Sequence, residues 1–171
     1  MRSPSDVSQF ASSKEKLAYT AVAGPDKVAF PQDLGTLYGS LDRADLKLYR
    51  EFYASPAASA DAARAGKPLP SGTVLTMVNY KAKLDDKGEP LKDANGRFIK
   101  GETASYAVME KRTGWGTEYP AEMRNGEWEY QMFTAEKAVN SKANIKGCFE
   151  CHKPKESLDF VFTFDRLKAT K

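Results

Sequence analysis

Histidine is almost missing from this chain of 171 residues: it occurs once, and cysteine twice. A structural zinc site wants four ligands, usually Cys and His, and only three such residues exist here, so a conventional zinc fold is excluded unless carboxylates complete the set. A haem held by two histidines of one chain is excluded for the same reason. No apolar run approaches the roughly 20 residues needed to cross a bilayer, so no membrane span is expected. Charge of one sign is also scarce: 26 Lys and Arg against 23 Asp and Glu leave a formal net charge of +3. That is too mild, and no basic run too dense, to suggest nucleic acid as a partner. Internal repeats and low-complexity tracts are absent, and the opening MRSPSDVSQF lacks the charged-then-apolar pattern of an export signal.

What remains is an ordinary globular composition, 41% hydrophobic and 11% aromatic, on a chain of single-domain length. We expect an N-terminal extension over residues 1–29, with a weak helix from Val7 to Leu17, and one domain over 30–171. DRADLKLYREFY (42–53) predicts a helix with Asp42 as N-cap and Leu46, Tyr49, Phe52 and Tyr53 on one face. A short Ala-rich helix is expected from Pro56 to Ala65, stopped by Gly66. From Thr73 onward β signals dominate: GTVLTMVNYKAKL, TASYAVMEKR (103–112), EWEYQMF (127–133) and DFVFTF (159–164) read as strands, with turn clusters DDKGEP and DANG forming an excursion over 85–97. The fold class expected is α+β, predominantly antiparallel sheet with flanking helices.

The chemistry lies in GCFECHKP. Cys148, Cys151 and His152 form C-x-x-C-H, and they are every cysteine and histidine in the chain. On one helical turn, cysteines three apart face the same side and can reach the two vinyl groups of a porphyrin as thioethers. The histidine that follows swings beneath the iron. A thioredoxin-like redox pair is expected early in a βαβ unit, not near the end of an antiparallel protein. A disulfide across three residues is strained and closes almost no loop. The motif therefore predicts one covalent haem c on Cys148 and Cys151, with His152 as proximal ligand.

The sixth ligand decides what such a haem does: methionine favours electron transfer, an open position permits small-molecule chemistry. Met77, Met109, Met123 and Met132 are candidates, each with a competing role as core filler. Met123, in a polar turn region, is the weakest. Lys81 and Lys83 read as surface lysines. The aromatics Trp115, Tyr119, Trp128, Tyr130 and Phe149 read as packing residues.

In order, GSLDRADLKLYREFY, GKPLPSGTVLTM, VMEKRTGWGTEYP, NGEWEYQMF, the C-x-x-C-H motif and DFVFT resemble the cytochrome P-460 / cytochrome c′-beta family over roughly residues 30–165. The resemblance implies a mainly antiparallel β fold carrying haem c, a homodimer and a bacterial periplasmic setting, with an export segment removed. One branch of that family oxidises hydroxylamine and carries a haem-linked lysine after the PxGT turn; the c′-beta branch has an apolar distal pocket with phenylalanine and binds nitric oxide. The lysine position of G-T-x-x-x-K falls on Met77 here. The chain thus departs from the hydroxylamine-oxidising pattern, and Met77 becomes the candidate distal ligand. Glu110, in VMEKR, is the candidate acid for proton relay, with pairing to Lys111 or Arg112 as its alternative role. The expected function is a periplasmic redox or electron-transfer haem protein with His/Met ligation and a redox partner protein. The alternative is an open-site protein that takes nitric oxide, hydroxylamine or peroxide, with hydroxylamine oxidation or peroxidase-like turnover as the activity if it is an enzyme.

Overall fold

The computed structural model describes residues 27–171; the expected helix from Val7 to Leu17 lies outside them. Five antiparallel strands run in chain order across one sheet: β1 Thr36–Arg43, β2 Leu48–Ser55, β3 Val74–Ala82, β4 Lys100–Lys111 and β5 Trp128–Thr134. Among the described residues three short α-helices accompany them: α1 Ala58–Arg64, α2 Ile145–His152 and α3 Phe164–Lys168. The α+β, β-rich class expected from sequence is the observed one.

Two elements differ from expectation. Residues 42–53 are not a helix; they form the end of β1, a turn over 44–47 and most of β2. Asp42 is no cap. Its Oδ2 accepts from Arg97 Nε and from the Phe98 amide. Leu46, expected on a buried face, is half exposed at the turn. The cause is tertiary pairing: β2 meets β3 in an unbroken ladder from Leu48–Lys81 to Ser55–Val74. Its side chains then alternate, Arg50, Phe52 and Ala54 to one face and Tyr49, Glu51 and Tyr53 to the other. Both faces are covered, so the period-2 pattern carries apolar residues in both frames and imitates a helical stripe.

The expected strand over 159–164 is likewise absent. Asp159 and Phe160 have φ of +50° and +62°, which no strand accommodates. Three contacts hold this bend. Asp159 pairs with Lys111 at 3.0 Å, its carboxylate accepts from the Leu69 amide at 2.8 Å, and its carbonyl accepts from Trp128 Nε1 at 2.8 Å. The chain then enters α3. Two other expectations hold: α1 ends before Gly66 at φ +69°, and residues 85–97 turn twice, with Asp85 and Asp93 each accepting backbone amides two and four residues on.

The sheet is buried on both sides. On one face Leu75, Met109, Trp128 and Tyr130 pack with Phe149, Val161, Phe164 and Leu167. On the other Val78, Tyr106, Val108 and Phe133 pack with Val28, Phe30 and Trp115. On this second face Glu129 is fully buried, hydrogen-bonded through Oε2 to the Tyr119 hydroxyl at 2.9 Å and opposed across the strands by Glu110.

Burial raises the Glu129 carboxyl from 4.5 to about 7, against the opposing effect of the Tyr119 hydrogen bond. The native state thus keeps a proton that the unfolded chain releases, so this group's contribution to stability is complete below about 4.5 and is lost as pH rises through about 7. Glu129→Gln is expected to flatten that fall, gaining roughly 1–3 kcal/mol at alkaline relative to acid pH. Urea unfolding at about pH 5 and about pH 8 checks it; equal pH dependence in both proteins contradicts it.

Candidate functional site

α2 is set by its ends. Asn144 caps it, its side chain accepting from the Gly147 amide at 3.1 Å, which satisfies one of the unpaired donors of the first turn. Lys146 and Glu150 pair one turn apart on the outer face. Phe149 is the inward anchor: it is buried and lies edge-on to Tyr130 and Tyr119, with ring centroids 4.8 and 5.4 Å away. Asn125, also buried, ties the helix to the sheet by donating to the Phe149 carbonyl at 2.9 Å and to the Tyr130 hydroxyl at 3.1 Å. With Phe149 fixed inward, helical geometry puts Cys148 and Cys151 together on the adjacent side.

That side faces a cavity of about 480 Å³. Cys148, Cys151 and His152 line it from α2; Val161, Phe162 and Thr163 close it from the bend after the helix; Phe52, Leu75, Met77, Ala107, Met109, Tyr130 and Met132 are among those that floor it from the sheet. The two cysteines are not bonded to one another. Burial, and then the neighbouring Cys151 sulfur, push the Cys148 thiol up to about 11. Among the described residues no three His, Cys, Asp or Glu side chains gather to hold a bare metal ion.

His152 is held on three sides. Tyr130 and Phe162 flank its ring, each with a centroid at 5.0 Å, and Nδ1 lies 2.7 Å from the Phe160 carbonyl oxygen. A carbonyl can only accept, so Nδ1 carries the proton and Nε2 keeps its lone pair. Burial lowers the imidazole pKa below its ordinary value, with the Phe160 bond opposing. The neutral form that a metal requires is therefore favoured.

Met77 is half-buried on the cavity floor, between Phe52 on β2 and Ala107 on β4, with Met132 beyond on β5. Met109 and Met132 also line the cavity, whereas Met123 sits in the hydrophobic core. Lys81 and Lys83 are exposed. Glu110 does not join the site: it shares β4's opposite face with Val108, is nine-tenths buried there, and accepts from Arg112 Nε at 2.8 Å. Strand alternation forbids it from reaching the side that Ala107 and Met109 occupy. Tyr119, Trp128, Tyr130 and Phe149 are core, as expected, and Trp115 packs on the second face. Sequence reasoning missed Phe52, Arg43, Arg50 and Tyr38 as lining residues, because all belong to the hairpin whose second half it read as a helix.

Asn125→Ala is expected to cost about 1–3 kcal/mol, because the buried Phe149 carbonyl and Tyr130 hydroxyl lose a partner together. The urea midpoint followed by circular dichroism measures this, and an unchanged midpoint contradicts it.

The Cytochrome P460 family model matches residues 32–163. No curated protein matches the chain. The matched span runs from just before β1 to the bend that closes the cavity, and so contains β1 to β5 and the whole of α2. The chain belongs to the cytochrome P460 family and is a haem-binding cytochrome.

Proposed function

We propose that this is an exported, periplasmic c-type cytochrome with a single haem, in which Cys148 and Cys151 form the two thioethers, His152 is the proximal ligand, and Met77 faces the iron from the sheet. The observation that carries the reading is the convergence of both thiols and a neutral, oriented imidazole on one largely apolar cavity. A haem bound there supplies a one-electron couple. The protein residues do the rest. The Phe160 carbonyl fixes the imidazole's tautomer and increases its basicity. Phe52, Leu75 and Val161 give the cavity buried apolar walls, and Phe162 lines it from a half-exposed position. Cys151 is exposed, so the edge it holds lies where a redox partner protein can approach. Electron transfer is the function we assign.

A second reading has its own support. Phe52 and Ala107 beside Met77 make the cavity floor apolar and leave room at its centre, which suits a small neutral ligand such as nitric oxide. Hydroxylamine or peroxide turnover is the weaker form of that reading, because Glu110 is on the wrong face to relay a proton.

Met77→Ala separates the two readings. Under methionine ligation, the reduced wild-type protein has sharp low-spin bands that carbon monoxide does not shift, and the variant becomes high-spin with a lower potential. An unchanged spectrum and potential exclude Met77 as a ligand. Covalent attachment is tested by Cys148→Ala with Cys151→Ala: the haem is expected to become extractable by acidified organic solvent, and pigment retained on the polypeptide contradicts thioether linkage at these positions.

A further inference from the structure

The cavity has a polar end. Cross-strand partners arrange its floor in rows, each two residues, or about 7 Å, from the next. The row nearest His152 is Ala54, Leu75, Met109 and Tyr130, and the next is Phe52, Met77, Ala107 and Met132. Beyond it come Leu41, Arg50, Asn79 and Ser105. Arg50 is half-buried and lines the cavity. Its Nε donates to Asn79 Oδ1 at 2.7 Å, and the buried Asn79 is itself braced by Ser105 Oγ, 3.1 Å from Nδ2. The guanidinium is therefore aimed, yet its terminal amino groups have no partner among the described residues. The neighbouring carboxylate, Asp45, is taken by Arg43, which donates to it at 2.9 and 2.7 Å. Arg43 lines the same end of the cavity, so two guanidinium groups face it with one carboxylate between them. Burial, and then Arg43's charge, lower the Arg50 pKa. A guanidinium desolvated beside another cation costs free energy unless an anion joins it.

We propose that Arg50, held by Asn79, is an anion anchor at the end of the haem cavity remote from α2. The inference rests on the haem reading above. Propionate carboxylates lie on the porphyrin edge opposite the vinyl groups, so a haem tethered through Cys148 and Cys151 would offer them to the end of the cavity where Arg50 stands; the same guanidinium could also draw in a diffusible anion bound for the iron. Both sources present the same chemistry, one negative charge met by a planar fork of N–H donors.

The test uses the holoprotein carrying Met77→Ala, so that the iron is accessible, with and without Arg50→Gln and Arg50→Lys. Azide and imidazole affinities of the ferric form, the reduction potential and the resonance Raman propionate bending mode are measured. If a propionate is the anion, Arg50→Gln shifts the propionate mode and lowers the potential, leaving the azide-to-imidazole affinity ratio unchanged. If a diffusible anion is the ligand, that ratio falls about tenfold in Arg50→Gln, recovers in part in Arg50→Lys, and the propionate mode stays put. Should Arg50→Gln not accumulate, Asn79→Ala, which frees the guanidinium, is expected to move the same readouts less far. A coloured protein in which neither the mode nor the ratio moves overturns the anchor. A colourless parent overturns the haem reading instead.

Discussion

The hydrogen bond from His152 Nδ1 to the Phe160 carbonyl is the contact on which the site depends. It fixes which imidazole nitrogen is free, and it requires the backbone at 159–160 to turn back over the end of α2. That turn is strained, with two consecutive non-glycine residues at positive φ, and is held by the Asp159 cluster of Lys111, the Leu69 amide and the Trp128 indole. These partners come from three different parts of the chain, so the orientation of one imidazole is a property of the whole fold. The lysine–aspartate pair is largely buried but not isolated, since the aspartate also accepts from backbone and indole donors, the condition under which a buried ion pair is sustainable.

The sheet separates two kinds of interior. On the α2 side, apolar residues and thioethers from methionine floor a cavity large enough to be a ligand site. On the other side, aromatic packing is mixed with buried carboxylates: Glu129 against Tyr119, and Glu51 against Tyr53 and Lys100. The strand period of two assigns each residue to one side or the other. It is why Met77 and Glu110, both singled out as candidates on neighbouring strands, end with opposite fates.

Much of this was legible in the chain. The C-x-x-C-H motif is local, its helix needs only Asn144 to start, and Phe149 between the cysteines identifies the inward face. Strands β3 to β5 carry enough β-branched and aromatic residues to be read directly, whereas Met77 was singled out only by the resemblance, as the residue at the lysine position of G-T-x-x-x-K. The hairpin of β1 and β2 was not legible, because Leu, Lys, Arg and Glu at 46–51 favour helix locally and only pairing with β3 reverses that preference. The bend at 159–160 was hidden for a related reason: DFVFTF has strand composition, but its shape is dictated by Lys111, Leu69 and Trp128, all distant in sequence. Losing the hairpin concealed Phe52 and Arg50, and with them half of the cavity's character.

The central claim is that α2 carries haem through sulfur. Intact mass and peptide fragmentation of protein from a cell that exports it and supplies cytochrome c maturation test this most directly. The account predicts a coloured protein whose mass exceeds that of the polypeptide by one haem, with the added mass confined to the peptide spanning Cys148 to His152. A polypeptide of unmodified mass, or haem lost on denaturation, contradicts it.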